Sequence, residues 1–321
     1  MNSVKACTAV ILVAASVAAI AQGYPAKPIR LIVPYPPGGP TDFVGRSLGQ
    51  KLTEAWGQQV VVENRAGAAS AIGTEIAARA AADGYTLLLG TSAGFCINPA
   101  LGGRLAYDPE RDFAPVSLLV INPQILVVHP SLPVHSVKGL VALAKSRPGQ
   151  INYASVGNAS PQHLGMEMLK SMTGIDLVHV PYKGTAPAVT DILAGHVSLM
   201  FNSMPSVLSQ ARSGKLRGIA VGSARRSPAA PDIPTVAEAG VPGFEYVTWY
   251  GLFAPANTPR DVVSLLNTQI VKILSEPEIA QRFASQGAEP AGSTPDQLAK
   301  YRRAEFERWR KLISTMNLRL D

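Results

Sequence analysis

Three short runs share one arrangement, in which Ser, Thr or Asn stands shortly before Pro: Ser155-Val-Gly-Asn-Ala-Ser160-Pro161, Lys183-Gly-Thr-Ala-Pro187 and Asn202-Ser-Met-Pro205. A side-chain oxygen just ahead of Pro marks the N-terminus of a helix. Such an end presents unpaired N–H groups and a partial positive charge, so it can hold a carboxylate or phosphate without a dedicated Arg. Ser160, Thr185 and Ser203 would serve equally well as plain caps. Nucleotide chemistry is unsupported: Lys183-Gly184-Thr185 lacks the upstream Gly of a P-loop, and no Gly-x-Gly-x-x-Gly occurs.

A second motif points elsewhere. Gly90-Thr91-Ser92-Ala93-Gly94 follows the apolar run Tyr85–Leu89 and matches the Gly-x-Ser-x-Gly nucleophile elbow, which makes a secreted serine hydrolase acting through Ser92 the alternative function. An elbow leads straight into a helix, whereas Asn98-Pro99 and Gly102-Gly103 are expected to interrupt one within two turns. No Ser-Asp-His trio is indicated by spacing. The five histidines, at 129, 135, 163, 179 and 196, are scattered, and His163 with Glu167 makes a helix-face pair of the kind found on surfaces. No metal and no cofactor are expected. The basic run Lys300–Lys311 also holds Glu305, Phe306, Glu307 and Trp309 at helical spacing, which suits an amphipathic helix better than a nucleic-acid interface.

The elements that must position these loops repeat one unit: a short apolar strand, a polar loop, an amphipathic helix. Strand Ile29–Val33 leads through Pro34–Asp42 into a helix ending near Trp56; Gln59–Glu63 leads through Arg65–Ser70 into an Ala-rich helix; Tyr85–Leu89 follows the Asp83-Gly84 turn. A second series runs as helix Val137–Lys145, strand Ile151–Ser155, helix Pro161–Met172, strand Asp176–Val180, helix Ala186–Ala194 and strand Val197–Phe201. Continuous apolar strands alternating with helices predict a parallel sheet in each series. Helices near Pro259–Leu274, Pro277–Gln286 and Pro295–Ile313 lack a sheet of their own and are expected to pack on the first domain. Two extended segments, Pro115–His129 and Phe244–Phe253, could join the domains and so place a ligand cleft between two sets of strand ends.

Length and composition set the limits. The 321 residues suffice for about two domains. With 47% hydrophobic and 16% charged residues, the chain is neither disordered nor a coiled coil. Its net charge of +7 favours anionic ligands without demanding nucleic acid. The polar start Met1–Lys5, the 16-residue uncharged run Ala6–Ala21 and its end Ala19-Ile20-Ala21 read as a secretory signal cut near Ala21-Gln22. Cys7 stands at the start of the apolar run rather than after it, so a lipid anchor is not expected, and Cys96 is left without a disulfide partner.

Taken in order, Pro34-Tyr-Pro-Pro-Gly-Gly-Pro-Thr-Asp42, Val62-Glu-Asn-Arg-Ala-Gly67, Ile97-Asn-Pro-Ala-Leu101, Tyr153-Ala-Ser-Val-Gly157, His179-Val-Pro-Tyr-Lys-Gly184, Gly214-Lys-Leu-Arg217 and Pro242-Gly-Phe-Glu245 make the chain similar to the Bug-type solute receptors of tripartite tricarboxylate transporters. The resemblance spans nearly all of Tyr24–Ile313 and implies an α/β, type II-like, two-domain periplasmic binding protein, monomeric, that offers a small carboxylate to membrane subunits. It implies a signal at 1–21, a discontinuous first domain at 22–120 and 250–321, and a second domain at 121–249. It further implies a ligand among Tyr35–Asp42 and Thr91–Phe95 of the first domain, and Ser155–His163, Lys183–Pro187 and Asn202–Met204 of the second. Ser155, Ala159, Ser160, Thr185 and Ala186 become carboxylate anchors, with Tyr35, Gly39, Thr41, Ser92, Asn202 and Trp249 as walls, and Asp42 and His163 in the same loops.

Two departures from the family pattern bear on the ligand. Ala159 stands where Gly is frequent, which restricts the backbone, and Phe95-Cys96 replaces a more polar pair. If Phe95 faces the cleft, it favours an acid with an apolar or aromatic body; otherwise it belongs to the core. Dicarboxylates, acidic amino acids and aromatic acids all remain candidates.

Overall fold

The computed structural model describes residues 23–315, and the expected signal segment lies outside the described residues. The first series forms as the apolar pattern requires. Strand β1 (Ile29–Val33) is followed by helix α1 (Pro40–Trp56), β2 (Val60–Asn64), α2 (Ala71–Ala78) and β3 (Thr86–Thr91). β1 pairs in parallel with both β2 and β3. Helix α1 lies close on this sheet because Gly45 and Gly49 face it: a Cβ on Gly45 would sit 2.7 Å from Val33 Cγ2, and one on Gly49 3.3 Å from Val62 Cγ2. The helix closes on Gly57, whose left-handed φ of 65° lets its N–H return to Thr53 O.

After β3 the structure departs from a purely parallel sheet. Strand β4 (Phe113–Val128) is the first expected crossing, built as one long strand. The second series then contributes α3 (Val137–Ser146), β5 (Asn152–Ser155), α4 (Pro161–Thr173), β6 (Val178–Pro181), α5 (Thr185–Leu193), β7 (Leu199–Ser203), α6 (Met204–Arg212) and β8 (Arg217–Val221). Strand β9 (Val247–Pro255) is the second crossing, and α7 (Arg260–Leu274), α8 (Pro277–Ser285), β10 (Glu289–Pro290) and α9 (Pro295–Thr315) complete the described chain. β5 pairs in parallel with β6 and β7, but β9 is antiparallel to both β3 and β4, and β4 is antiparallel to β7, β8 and β10. The reversal follows from connectivity, since a crossing strand that leaves one half and a second that returns must run in opposite directions. β8 and the short β10 were not expected from the sequence.

The sheet is continuous, in the order β2-β1-β3-β9-β4-β7-β5-β6. β4 is handed from one half to the other in mid-strand: Phe113–Pro123 pairs with β9, and Gln124–Val128 pairs with β7. Its register shifts between Pro115 and Ser117, which accommodates a proline inside a paired strand.

On one face of the first-half sheet, Leu31, Val33, Leu89 and Leu252 form a core with Leu48 of α1, Leu266 of α7 and Phe283 of α8. The other face buries Ile32, Leu88, Phe95 and Phe253 under α9, and this core continues into the second half through Trp249, Tyr246, Phe201 and Leu164. The C-terminal helices thus pack on the first half, as expected. Trp309 of α9 also reaches Tyr246, edge to face at 6.3 Å. Among the described residues no helix is long and apolar enough to cross a membrane.

Gly165 of α4 is the tightest helix contact of this joined core: an added Cβ would lie 2.3 Å from the Tyr246 ring. Gly165→Ala is therefore expected to lower stability by about 1–3 kcal/mol through overpacking, read as a lower urea midpoint with an unchanged slope.

Candidate functional site

The loop between β1 and α1 is held by one carboxylate. Asp42 Oδ2 accepts from Gly38 N and Arg46 Nε, both at 2.9 Å, and Oδ1 accepts from Asn64 Nδ2 at 2.9 Å. The same Asn64 amide donates to Tyr35 O at 3.0 Å. Burial alone would raise the pKa of Asp42, but the Arg46 guanidinium, the Gly38 N–H and the Asn64 amide outweigh it and hold the carboxyl below its ordinary range. Asp42, expected at the ligand, is instead committed to the loop: an anion with three donors has little left to offer and would repel another anion. Burial raises the pKa of both the Tyr35 and the Tyr250 hydroxyl, against the opposing influence of Thr91 and Ser70 on the first and of Thr41 on the second. Gly39 caps α1 through its backbone alone, and Pro40 opens the helix.

Ser92 leads directly into a helix that Asn98-Pro99 does not break, although Gly102 does: Ala93–Ile97 forms a π-helical turn and Asn98–Ala100 an α-helical one, before Gly102 ends them at φ 74°. Asn98-Pro99 can continue the turn because Pro stands at its first positions, where no N–H is required. The motif glycines have packing reasons. A Cβ on Gly90 would lie 2.6 Å from Phe253 and Phe95 ring atoms, and one on Gly94 2.9 Å from Ser70 Oγ. Ser92 is buried, and all five histidines of the chain belong to residues 129–196 of the second half. A general base for Ser92 is not in evidence among the described residues.

Phe95 settles against the reading that placed it at the cleft. It stacks on Phe253 at 4.0 Å and 16° and lies 5.0 Å from Phe113, so the core takes it. The preference for an aromatic acid that rested on Phe95 is withdrawn with it. Trp249 belongs to the same cluster, 6.4 Å from Phe95 and 5.9 Å from Tyr301, and its buried Nε1 has no hydrogen-bond partner among the described residues.

In the second half the loop after β5 closes on itself. Ser155 Oγ accepts from Gly157 N at 3.1 Å, lies 3.0 Å from Gly157 O and meets His179 Nε2 at 2.6 Å. Ala159 is left-handed, with φ 56°, the geometry that favours glycine at this position. Its N–H donates to His163 Nδ1 at 3.1 Å, so it is not a free anchor. Ser160 is an N-cap whose Oγ accepts from His163 N at 3.3 Å, the plain role weighed for it. His163 and His179 stack face to face at 3.9 Å and 6°, with Tyr153 at 5.0 Å from His179. Glu167 Oε1 accepts from Tyr153 at 2.6 Å and from Lys170 at 2.8 Å. Burial holds His163 below its ordinary pKa against the opposing pull of Glu167; burial and then His163 push His179 down to about 4. Both rings are therefore neutral near pH 7.

The next two helices begin differently. α5 starts at Thr185 behind Gly184, which has no side chain to cap the helix, so the N–H groups of Thr185 and Ala186 have no hydrogen-bond partner among the described residues. This end adjoins the Ser155 loop: Pro181 is the register partner of Ser155, and Tyr182 N donates to Ser155 O at 3.0 Å. α6 also lacks a side-chain cap, because Asn202 Oδ1 takes the N–H of Ser203 while Ser203 Oγ turns to Ser206.

The crossing strands bring the two sets of loops together. Thr91 pairs with Tyr250, Asn122 with Thr248 and Gln124 with Ser203, so the ends of β3 and β7 lie on either side of this segment. Gln124 Nε2 donates to Asn122 O and to Thr248 Oγ1, both at 3.0 Å, while Gln124 Oε1 and both ends of the Asn122 amide are buried without a partner among the described residues. These residues were missed in the sequence, although two amide side chains inside an apolar strand were a signal. No group of three or more His, Cys, Asp or Glu able to hold a metal occurs among the described residues.

Comparison with known proteins adds three findings. Residues 44–318 match the sequence profile described as the tripartite tricarboxylate transporter family receptor. The chain is 41% identical over 301 residues to Protein BugT of Bordetella pertussis, covering 94% of this chain and 92% of that one. It is 40% identical over 293 residues to a protein from the tcbD-tcbE intergenic region of Pseudomonas sp. strain P51, covering 91% and 87%. Among solved structures it is similar to R. palustris Rpa4515 with adipate, at TM-score 0.86, 36% identity and coverage of 91% of this chain and 98% of that one. MatC from Rhodopseudomonas palustris with bound malate gives TM-score 0.82, 31% identity and coverage of 90% and 100%.

Two measurements check this geometry. Because the folded state disfavours protonated His179, the unfolded chain binds that proton more readily, so stability from this ring is complete above the ordinary 6.5 and is lost as pH falls toward about 4. An NMR titration should place the His179 midpoint near 4, and His179→Gln should reduce the fall in unfolding free energy between pH 7 and 4.5. Ser160→Ala should cost about 1 kcal/mol of stability, as the loss of an N-cap does.

Proposed function

The chain belongs to the tripartite tricarboxylate transporter family of receptors, and from that membership we propose that it captures a small carboxylate outside the cytoplasm and presents it to a membrane permease. The observation that carries the ligand class is the uncapped start of α5 beside the Ser155 loop, where the N–H groups of Thr185 and Ala186 have no internal partner. A carboxylate there gains charge-assisted hydrogen bonds and the helix dipole without a compensating cation. Relatives of the same family and fold have been solved with adipate and malate, both dicarboxylates, which supports the same class for this chain.

In this reading Thr185 and Ala186 anchor one carboxylate, Asn202 and the Ser155–Ser160 loop shape its surroundings, and Tyr35, Gly39, Thr41 and Ser92 close over it from the first half. Asn122 and Gln124 form the floor, and their unpartnered amide atoms suit bound water or a polar group of the ligand. Closure bends the chain at β4 and β9, and we take the domain division at 120/121 and 249/250, a few residues from the point where β4 changes sheets. The role is binding rather than catalysis, since the family is one of receptors, and although Ser92 opens a strand-to-helix turn, all five histidines lie within residues 129–196, so the hydrolase reading gains no base from it. Export follows from the signal at 1–21, with the mature chain starting near Gln22.

A thermal-shift screen across malate, succinate, adipate, aspartate and benzoate tests the ligand class. A ligand at 100 times its Kd should add about 2.7 kcal/mol of stability. No shift with any acid would count against carboxylate binding. With the best acid, Thr185→Pro, which removes one of the two anchoring N–H groups at the first helical position, where Pro is tolerated, should weaken binding roughly tenfold, as expected for one hydrogen bond to a charged group. N-terminal sequencing of the exported protein should read from near Gln22, and recovery of Met1 outside the cytoplasm would exclude cleavage.

A further inference from the structure

The five-residue reach from Ser155 to Ala159 holds two positive-φ residues, Gly157 at 129° and Ala159 at 56°. Left to itself an Ala resists that geometry, so something must hold the loop there. The holders are two imidazoles. At the start of the loop His179 Nε2 lies 2.6 Å from Ser155 Oγ, and at its end His163 Nδ1 accepts the Ala159 N–H at 3.1 Å. The rings come from different elements, His163 from the first turn of α4 and His179 from β6, and they meet face to face at 3.9 Å.

We propose that His163 and His179 are positioning residues of the carboxylate site, a stacked pair that clamps the Ser155–Ala159 loop and ties it to the strand leading into α5. The proposal rests on the carboxylate reading for its functional meaning, while the clamp itself is a property of the unliganded protein. His163 acts through Ala159: with Nδ1 accepting, its proton sits on Nε2, which faces Glu167 Oε1 at 4.0 Å. His179 acts through Ser155, whose hydroxyl also organises Gly157. Because β6 continues through Tyr182 and Lys183 to Gly184, the ring that grips the first loop is also built into the strand that delivers the second. Tyr153, Glu167 and Lys170 pack round the pair from β5 and α4 and keep the rings in register. Both rings are held neutral, which face-to-face stacking at this distance requires.

The test exploits isosteres. Asn places Oδ1 where His presents Nδ1, and Gln can reach the position of Nε2, whereas Leu fills similar space without an acceptor. Amide hydrogen exchange of Ala159 in the ligand-free, full mature chain reads the clamp directly, and calorimetry with malate and with adipate reads its consequence. His163→Asn should keep Ala159 protection and affinity at the wild-type level; His163→Leu should lose about tenfold in each, the value of one hydrogen bond. His179→Gln and His179→Leu repeat the comparison from the other ring and decide the matter if His163→Leu does not fold. Wild-type protection and affinity in both Leu variants, or equal losses in the Asn and Leu pair, would overturn the proposal. If the wild type binds neither acid, the carboxylate reading falls, and the exchange data still decide the clamp.

Discussion

The antiparallel pairing of β4 with β9 is the interaction on which the rest of the molecule depends. The pairing runs from Phe113 opposite Pro255 to Pro123 opposite Val247. Each end of the pair then recruits its own half: β9 takes β3 at Thr91, and β4 takes β7 at Gln124. Since side chains alternate across a strand, that register also decides what faces each core. Trp249 joins the aromatic cluster under α9, while Thr248 stands with Asn122 and Gln124. A slip of one residue would exchange the two sets and place an indole where the amides now meet.

In the proposed site, the loops at the strand ends would receive an anion with groups that are mostly neutral. Two carboxylates beside these loops are used up internally: Asp42 in three hydrogen bonds, Glu167 between Tyr153 and Lys170. What remains open are peptide N–H groups, hydroxyls and amides. A site of this kind attracts a carboxylate by geometry more than by net charge, so it can accept acids of different length provided one carboxylate reaches the helix end. The mild positive charge of the whole chain supplies attraction at longer range.

Much of this was legible in the residues. β1, α4 and α7 fall within a residue of their expected limits because each has a strong periodic pattern bounded by Pro or Gly, and α1 ends at the expected Trp56 but starts at Pro40, inside the expected loop. The crossings could be seen as extended segments, but their antiparallel pairing could not, because strand direction follows from connectivity rather than local pattern. β8 and β10 were missed for want of length and alternation. In the site, the loops were legible from Ser, Thr and Pro spacing, whereas the direction of each side chain was not. Phe95 went to the core, Asp42 to its own loop and Ser160 to its helix, all because a nearby internal partner satisfied them. The His163–His179 stack joins residues 16 positions apart on separate elements, a contact that only the folded chain reveals.

The mid-strand transfer of β4 has an architectural consequence. Pro123 and Val247, where the chain departs for the second half and comes back from it, are register partners on adjacent strands. The whole stretch between them is therefore an inset, spliced into the first half at a single rung and entered and left through one doorway. Its interior can be lengthened, shortened or exchanged without moving the ends that the host must join. Ligand range in such a molecule can diversify by altering loops of the inset, provided that Tyr246, Phe201 and Leu164 keep the core they share with the host half.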